Sequence, residues 1–198
     1  MSKAIGFIGL GVMGSPMAGH LANLNNNISV FNRTVEKSKT WNTKYKGVIC
    51  GSPAELARIS DVIMICIGND SEVRDVISGK DGMINYLKKG SIIVDHTTTS
   101  SELAVEMNAL LNPKDIFYID APVSGGEVGA QSGQLSIMAG GDKKSFNLIE
   151  NIIKPYTKFI KYMGPPGSGQ LTKMVNQICI AGLIQALAEG INLSLIHI

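Results

Sequence analysis

Six residues, Gly9-Leu10-Gly11-Val12-Met13-Gly14, constrain this 198-residue chain more than any others. They follow the apolar run Lys3–Gly9 and open a stretch with helical spacing of apolar residues, Met13–Leu24. A GxGxxG pattern in that position has a physical use at each glycine. Gly9 makes the tight turn, Gly11 lets a pyrophosphate approach bare backbone, and Gly14 lets the helix pack closely on the strand. The helix start adds unpaired N–H groups and the positive end of its dipole. All six residues are therefore expected to cradle a dinucleotide.

The rest of the chain repeats strand, helix, strand. Ile28–Asn32 reads as a second strand, a helix follows Val35, and a short strand lies near Val48 before a helix over Pro53–Ile59. Val62–Ile67 is a run of six apolar residues, as expected when both faces of a strand are buried. Ser91–Asp95 and Ile116–Asp120 are two more strands, each ending in aspartate, with the helix Ser101–Leu111 between them. Leu135–Gly140 and Thr157–Met163 flank a helix over Asp142–Ile153. This alternation predicts an α/β chain of the Rossmann type, a doubly wound and mostly parallel sheet with helices on both faces.

Gly164-Pro165-Pro166-Gly167-Ser168-Gly169 can only be a loop, and Gln170–Leu195 then reads as one long helix. Two parts are expected: 1–164, a dinucleotide-binding domain, and 165–198, an interdomain helix that would lead into an all-helical second domain. A long apolar helix needs something to pack against, so the sequence reads as truncated there. Its stretch Ile178–Ile184 is expected to be buried.

The 18 basic and 16 acidic residues leave a net charge of only +2, and lysines cluster only briefly, as at Lys37/Lys39 and Lys143/Lys144. These are expected on a solvated face, with no nucleic-acid partner. Cys50, Cys66 and Cys179 lack metal spacing; Cys66 and Cys179, in apolar runs, read as core residues of a reduced, cytoplasmic protein. The apolar N-terminal run breaks at glycines too early for a membrane or signal segment, and neither a metal nor a membrane is expected.

The second strand ends Val30-Phe31-Asn32-Arg33-Thr34, with no Asp or Glu to hold a ribose 2′-hydroxyl. Asn32, Arg33 and Thr34 instead place a guanidinium where a 2′-phosphate would sit, which favours NADP(H) over NAD(H). The competing reading is that the three residues only cap the following helix.

Three further segments complete a set of motifs: Asp120-Ala121-Pro122-Val123-Ser124-Gly125-Gly126, Gly167-Ser168-Gly169-Gln170-Leu171-Thr172-Lys173 and Met174-Val175-Asn176-Gln177. With the glycine-rich loop, they resemble the β-hydroxyacid dehydrogenases, the group of 3-hydroxyisobutyrate dehydrogenase and tartronate semialdehyde reductase, from residue 4 to about 193. The resemblance implies a hydride transfer between a nicotinamide and a short β-hydroxyacid or semialdehyde. It implies Lys173 as catalytic acid and base, with Asn176 or Gln177 orienting the substrate. Ser124, Gly125 and Gly126 would hold the substrate carboxylate. Ile67, Gly68 and Thr98 would contact the cofactor, and the full-length protein would be a homo-oligomer.

Local chemistry agrees with those roles. Ser124-Gly125-Gly126 offers a hydroxyl and two unshielded N–H groups. Lys173, Asn176 and Gln177 share one helical face. His20 is expected on the surface of the first helix, and His96, next to Thr98, is expected to line the site without transferring the proton. A 6-phosphogluconate dehydrogenase is the nearest alternative, but its Lys-x-x-His-Asn pattern is Lys173-Met174-Val175-Asn176-Gln177 here. Imine reductases share the scaffold but usually lack the lysine. A reading of another class is a fragment that binds dinucleotide without turnover.

Overall fold

A computed structural model of the chain describes residues 3–24 and 28–197. Its strands are β1 (Ile5–Ile8), β2 (Ile28–Phe31), β3 (Val48–Ile49), β4 (Val62–Ile65), β5 (Ile92–Asp95), β6 (Phe117–Asp120), β7 (Val123–Ser124), β8 (Leu135–Gly141) and β9 (Thr157–Gly164). Its helices are α1 (Gly14–Leu24), α2 (Val35–Lys44), α3 (Pro53–Ile59), α4 (Asp70–Ser78), α5 (Ser101–Leu111), α6 (Gly126–Ser132), α7 (Lys143–Ile153) and α8 (Ser168–Ile196).

The strands form one sheet in the order β3-β2-β1-β4-β5-β6-β8-β7, with β9 beside β8. From β3 to β6 every pairing is parallel. β8 runs antiparallel to β6 and β7, and parallel to β9. β1, β4 and β5 are buried at every position, which explains their unbroken apolar runs. Alternate residues feed two cores. Phe7, Val30, Met64, Val94 and Ile119 face α1 and α7 through Met17, Leu21, Phe146 and Ile149. Ile8, Ile63, Ile65, Ile93 and Tyr118 face α3, α4 and α5 through Leu56, Val73, Ile77, Leu103 and Met107.

Local signals start several helices. Ser52 Oγ accepts the Glu55 N–H, with Pro53 in the first turn of α3. Asn69 Oδ1 accepts the Glu72 N–H at the start of α4, and Asp142 Oδ2 accepts the Ser145 N–H at the start of α7.

The chain moves outward from β1 on one side to β2 and β3, and on the other to β4, β5 and β6. In such sheets the ligand crevice lies outside the carboxyl ends of the strands where the order reverses, here between β1 and β4. The fold positions its site by that topology.

Three elements differ from the sequence reading. Helices α4 and α6 and the two-residue β7 lie where only connecting chain was expected. Beyond Lys173, α8 is exposed or only half-buried, including Ile178–Ile184 and Cys179, which were expected in a core. The helix is apolar around its whole circumference, and the sheet covers only its first turns, through Gly169, Gln170 and Lys173. An 18-residue stretch of it has a mean hydropathy of 1.6, so the helix is also long and apolar enough to cross a membrane by length and composition alone.

Candidate active site

Gly9 ends β1 at a φ of +98°, and a Cβ there would lie 2.1 Å from the Cys66 carbonyl oxygen. Gly14 is equally confined, because a Cβ would stand 1.9 Å from the Gly9 carbonyl oxygen. Gly11 differs from both: nothing lies within 4 Å of the position its Cβ would take. Two glycines close the turn and the third leaves backbone facing open space. Among the described residues, the N–H groups of Gly11, Val12 and Met13 donate to no protein acceptor. A polyanion against this helix start would find unpaired donors and a positive dipole end.

A cavity of about 510 Å³ opens over this loop. It is lined by Gly9, Gly11, Val12, Met13, Gly14, Asn32, Arg33, Thr34 and Ile67, all singled out from the sequence. Its volume is that of a small-molecule cleft. Leu10, in contrast, turns its side chain into the core, and its N–H donates to Asn32 Oδ1 at 2.9 Å. Asn32 also donates through Nδ2 to Thr34 O at 3.0 Å, so it ties the glycine loop to the end of β2. Thr34 occupies the N-cap of α2 without a side-chain capping bond.

Arg33 pairs with Glu72, Nη1 to Oε1 at 3.0 Å, across the cavity mouth, with the arginine side chain 83% exposed. The other Glu72 oxygen accepts the Gly68 N–H at 3.0 Å. Glu72, Lys37 and Lys80 all line this cavity, and sequence reasoning missed all three. Lys37 was placed on a solvated face, and the polar run that forms α4 gave no sign of reaching Arg33. Cys66 also lines the cavity, but burial, helped by the Asp95 charge, pushes its thiol up to about 12. It stays protonated and weakly nucleophilic.

Gly68, Thr98, Ser124, Gly125, Gly126, Lys173, Asn176 and Gln177 lie outside the cavity lining. Gly68, Thr98 and Ser124–Gly126 follow the carboxyl ends of β4, β5 and β6, and Lys173, Asn176 and Gln177 lie on α8. Thr98 stands exposed after the end of β5, and half-buried Ser124 lies just past the end of β6. Gly125 and Gly126 have φ of +134° and +60°, and a Cβ on Gly126 would meet nothing within 4 Å. Helix α8 starts beside Asp120 at the end of β6, because β9 runs along β8 to the Gly140–Gly164 pair.

On α8, Lys173 is only 8% exposed, and burial lowers its pKa from the usual 10.5. Among the described residues its amine has no ion-pair or hydrogen-bond partner. Asn176 is half-buried and Gln177 exposed, with Asn176 Nδ2 donating to Gln177 Oε1 at 3.0 Å.

His20 and His96 differ from expectation. His96 is buried and is not part of the cavity lining: its Nδ1 lies 2.7 Å from Ala121 O and its Nε2 2.9 Å from the Tyr156 hydroxyl. A carbonyl can only accept, so Nδ1 carries the proton and Nε2 accepts from the tyrosine. Burial lowers the His96 pKa to about 4, and the ring stays neutral. His20 is half-buried and braces the end of α6 through Ala130 O and Gln131 O. Among the described residues, no group of three or more His, Cys, Asp or Glu side chains is arranged to hold a metal.

Residues 4–164 match the family described as the NAD binding domain of 6-phosphogluconate dehydrogenase. An uncharacterized oxidoreductase of Shewanella frigidimarina is 46% identical over 95% of this chain and 65% of its own length. A probable mitochondrial 3-hydroxyisobutyrate dehydrogenase-like protein of Arabidopsis thaliana is 40% identical over 94% of this chain and 62% of its own. Among solved structures, 3-hydroxyisobutyrate dehydrogenase of Mycobacterium tuberculosis with L-serine superposes with a TM-score of 0.89 at 28% identity, over 96% of this chain and 64% of that one. The chain thus spans somewhat less than two thirds of the length of these proteins.

Proposed function

Because this chain belongs to the family of the NAD binding domain of 6-phosphogluconate dehydrogenase, among relatives named 3-hydroxyisobutyrate dehydrogenases, we propose that it is the cofactor-binding and proton-transferring part of an oxidoreductase acting on a short β-hydroxyacid or semialdehyde. The observation that carries this reading is the open backbone at Gly11, flanked by two glycines that tolerate no side chain, over a cavity of suitable size. Residues 1–164 would form the dinucleotide-binding domain, and 165–198 the helix that leads from it.

A bound nicotinamide dinucleotide would supply hydride to the substrate carbon or take it back. The N–H groups of Gly11, Val12 and Met13 would hold its pyrophosphate, and Asn32, Thr34, Ile67, Gly68 and Thr98 would border it. Ser124, with the N–H groups of Gly125 and Gly126, would accept the substrate carboxylate. In reduction Lys173 gives a proton to the oxygen of the carbonyl that gains hydride; in oxidation its neutral amine takes the hydroxyl proton. The lowered pKa makes the neutral form more accessible, and Asn176 orients the same oxygen. Short acids such as 3-hydroxyisobutyrate, tartronate semialdehyde, glyoxylate and succinic semialdehyde fit this chemistry.

NADP(H) is favoured by Arg33 with Lys37 nearby on the cavity wall. Glu72 holds Arg33 Nη1 and so competes with a 2′-phosphate for the guanidinium. Fluorescence titration with NADPH and NADH tests the reading. NADPH should bind more tightly, Arg33→Ala should weaken NADPH selectively, and Glu72→Gln should strengthen it. Equal binding of both cofactors, indifferent to Arg33, would remove the NADP preference. Binding of neither would leave a chain that does not form a competent site by itself.

A further inference from the structure

Before any side chain on α8 can act on a substrate, the helix has to be fixed, and two buried polar residues do this. Gln170 has no exposed surface, and its amide bridges two points of the loop after β5. Its Nε2 donates to Thr97 O at 2.7 Å and its Oε1 accepts the Thr99 N–H at 3.2 Å. Thr98, held between them, is left exposed. Thr97 Oγ1 also accepts the Ile67 N–H at 3.2 Å. A continuous path of bonded groups therefore runs from the loop after β4, through Thr97, to Gln170, one helical turn before Lys173.

On its other side the helix start is pinned by Asp120. Its carboxylate accepts the Gly167 N–H at 2.9 Å and the Gln170 N–H at 3.0 Å, where the dipole favours negative charge. Two glycines make room for this approach. A Cβ on Gly140 would lie 2.6 Å from Asp120 Oδ1, and one on Gly169 would lie 2.5 Å from Met138 O. A leucine could fill the Gln170 site without burying an amide, so packing alone does not call for glutamine.

We propose that Gln170 is a positioning residue that couples the cofactor-side loops to α8, holding Thr98 and Lys173 in one register. Its bearing on catalysis rests on the roles proposed for those two residues; the coupling itself does not. Ordering the loop after β5 then orders the helix, and loosening either releases both.

The test compares the unmodified chain with Gln170→Met, which keeps the volume and removes the amide. Amide exchange at Thr99 and NMR titration of Lys173, read on 13C-dimethylated lysines and assigned with Lys173→Arg, both work without cofactor. Protection at Thr99 should fall by about tenfold, the loss of one buried hydrogen bond. The Lys173 titration should move up toward 10.5. Gln170→Glu covers the case in which Gln170→Met does not fold. Its protonated carboxyl can make both bonds; once ionised it can no longer donate to Thr97 O and is repelled by that carbonyl, so the bridge opens and protection at Thr99, matching the parent at low pH, should fall. Unchanged Thr99 protection and Lys173 titration in Gln170→Met, or indifference of Gln170→Glu to its own ionisation, would overturn the proposal. Failure to bind NADPH or to turn over would count against the proposed function, while exchange and titration still report on Gln170.

Discussion

Lys173 and Asp95 illustrate how burial changes what a single ionisable group can do. For Lys173, burial disfavours the ammonium form, so its titration falls below 10.5. In the mechanism proposed above, reduction needs the ammonium and oxidation the free amine. With rising pH, reduction should slow and oxidation accelerate through one common midpoint below 10.5, and Lys173→Ala should cost both directions about 10²- to 10⁴-fold. Initial rates in the two directions across pH check this, and a midpoint that survives Lys173→Ala would assign the proton to another group. Asp95 is wholly buried and accepts from the Tyr118 hydroxyl at 2.5 Å and the Thr97 N–H at 2.9 Å. Burial nevertheless raises its pKa to about 6, against a usual 3.8. A carboxyl with a raised pKa contributes stability below the usual value and loses it as pH rises through about 6. His96, lowered from 6.5 to about 4, has the opposite sign: its contribution is present above 6.5 and lost as pH falls through about 4. Between pH 4 and 6 the two offset each other. Asp95→Asn should therefore unmask the histidine, with stability falling on acidification by an amount on the order of 3 kcal/mol. Melting temperatures from pH 4 to 7 measure it, and a variant as flat as the parent would contradict the opposition.

At the scale of elements, the glycine-rich loop separates folding from binding. Gly9→Ala combines a positive φ with backbone 2.1 Å from the new methyl, and should cost stability by roughly 2 kcal/mol or more. Gly11→Ala meets nothing, so the chain should fold normally while the methyl occupies the space a pyrophosphate needs. Denaturant unfolding together with cofactor titration should show one variant unstable and the other stable but non-binding; the reverse pattern would refute these assignments. The same contrast explains what could be read beforehand. Strands β1, β4 and β5 were legible because burial on both faces leaves unbroken apolar runs. Helix α4 was not, because only Val73 and Ile77 are fully buried, with Val76 partly so, in a mostly polar stretch. Helix α6 buries only Gly129 and Ala130, too small to produce an apolar period. Within the site, glycines and motif residues announced themselves locally. The partners of Arg33, Asp120 and Gln170 did not, since those contacts join positions 39, 50 and 73 residues apart.

For the whole molecule, the dominant feature is an apolar helix that the sheet covers at one end only. Ile178, Leu183, Ile184, Leu187, Ile191 and Leu195 are all exposed, a patch larger than a monomer in water ordinarily tolerates. The chain should self-associate, and Leu183→Glu with Leu187→Glu should reduce this while leaving cofactor affinity unchanged. Sedimentation velocity over a concentration series decides it, and a chain monomeric at high concentration would contradict it. The same anchoring has a mechanical side. From Lys173 to Ile196 the helix runs about 35 Å at 1.5 Å per residue, clamped near one end by Asp120 and Gln170. It works as a lever: about 5° of play at the clamp displaces the far end by about 3 Å, nearly the length of a hydrogen bond. If Gln170 couples the two as proposed, whatever the distal turns touch is geared to the loop around Thr98, and a small movement of that loop arrives there magnified.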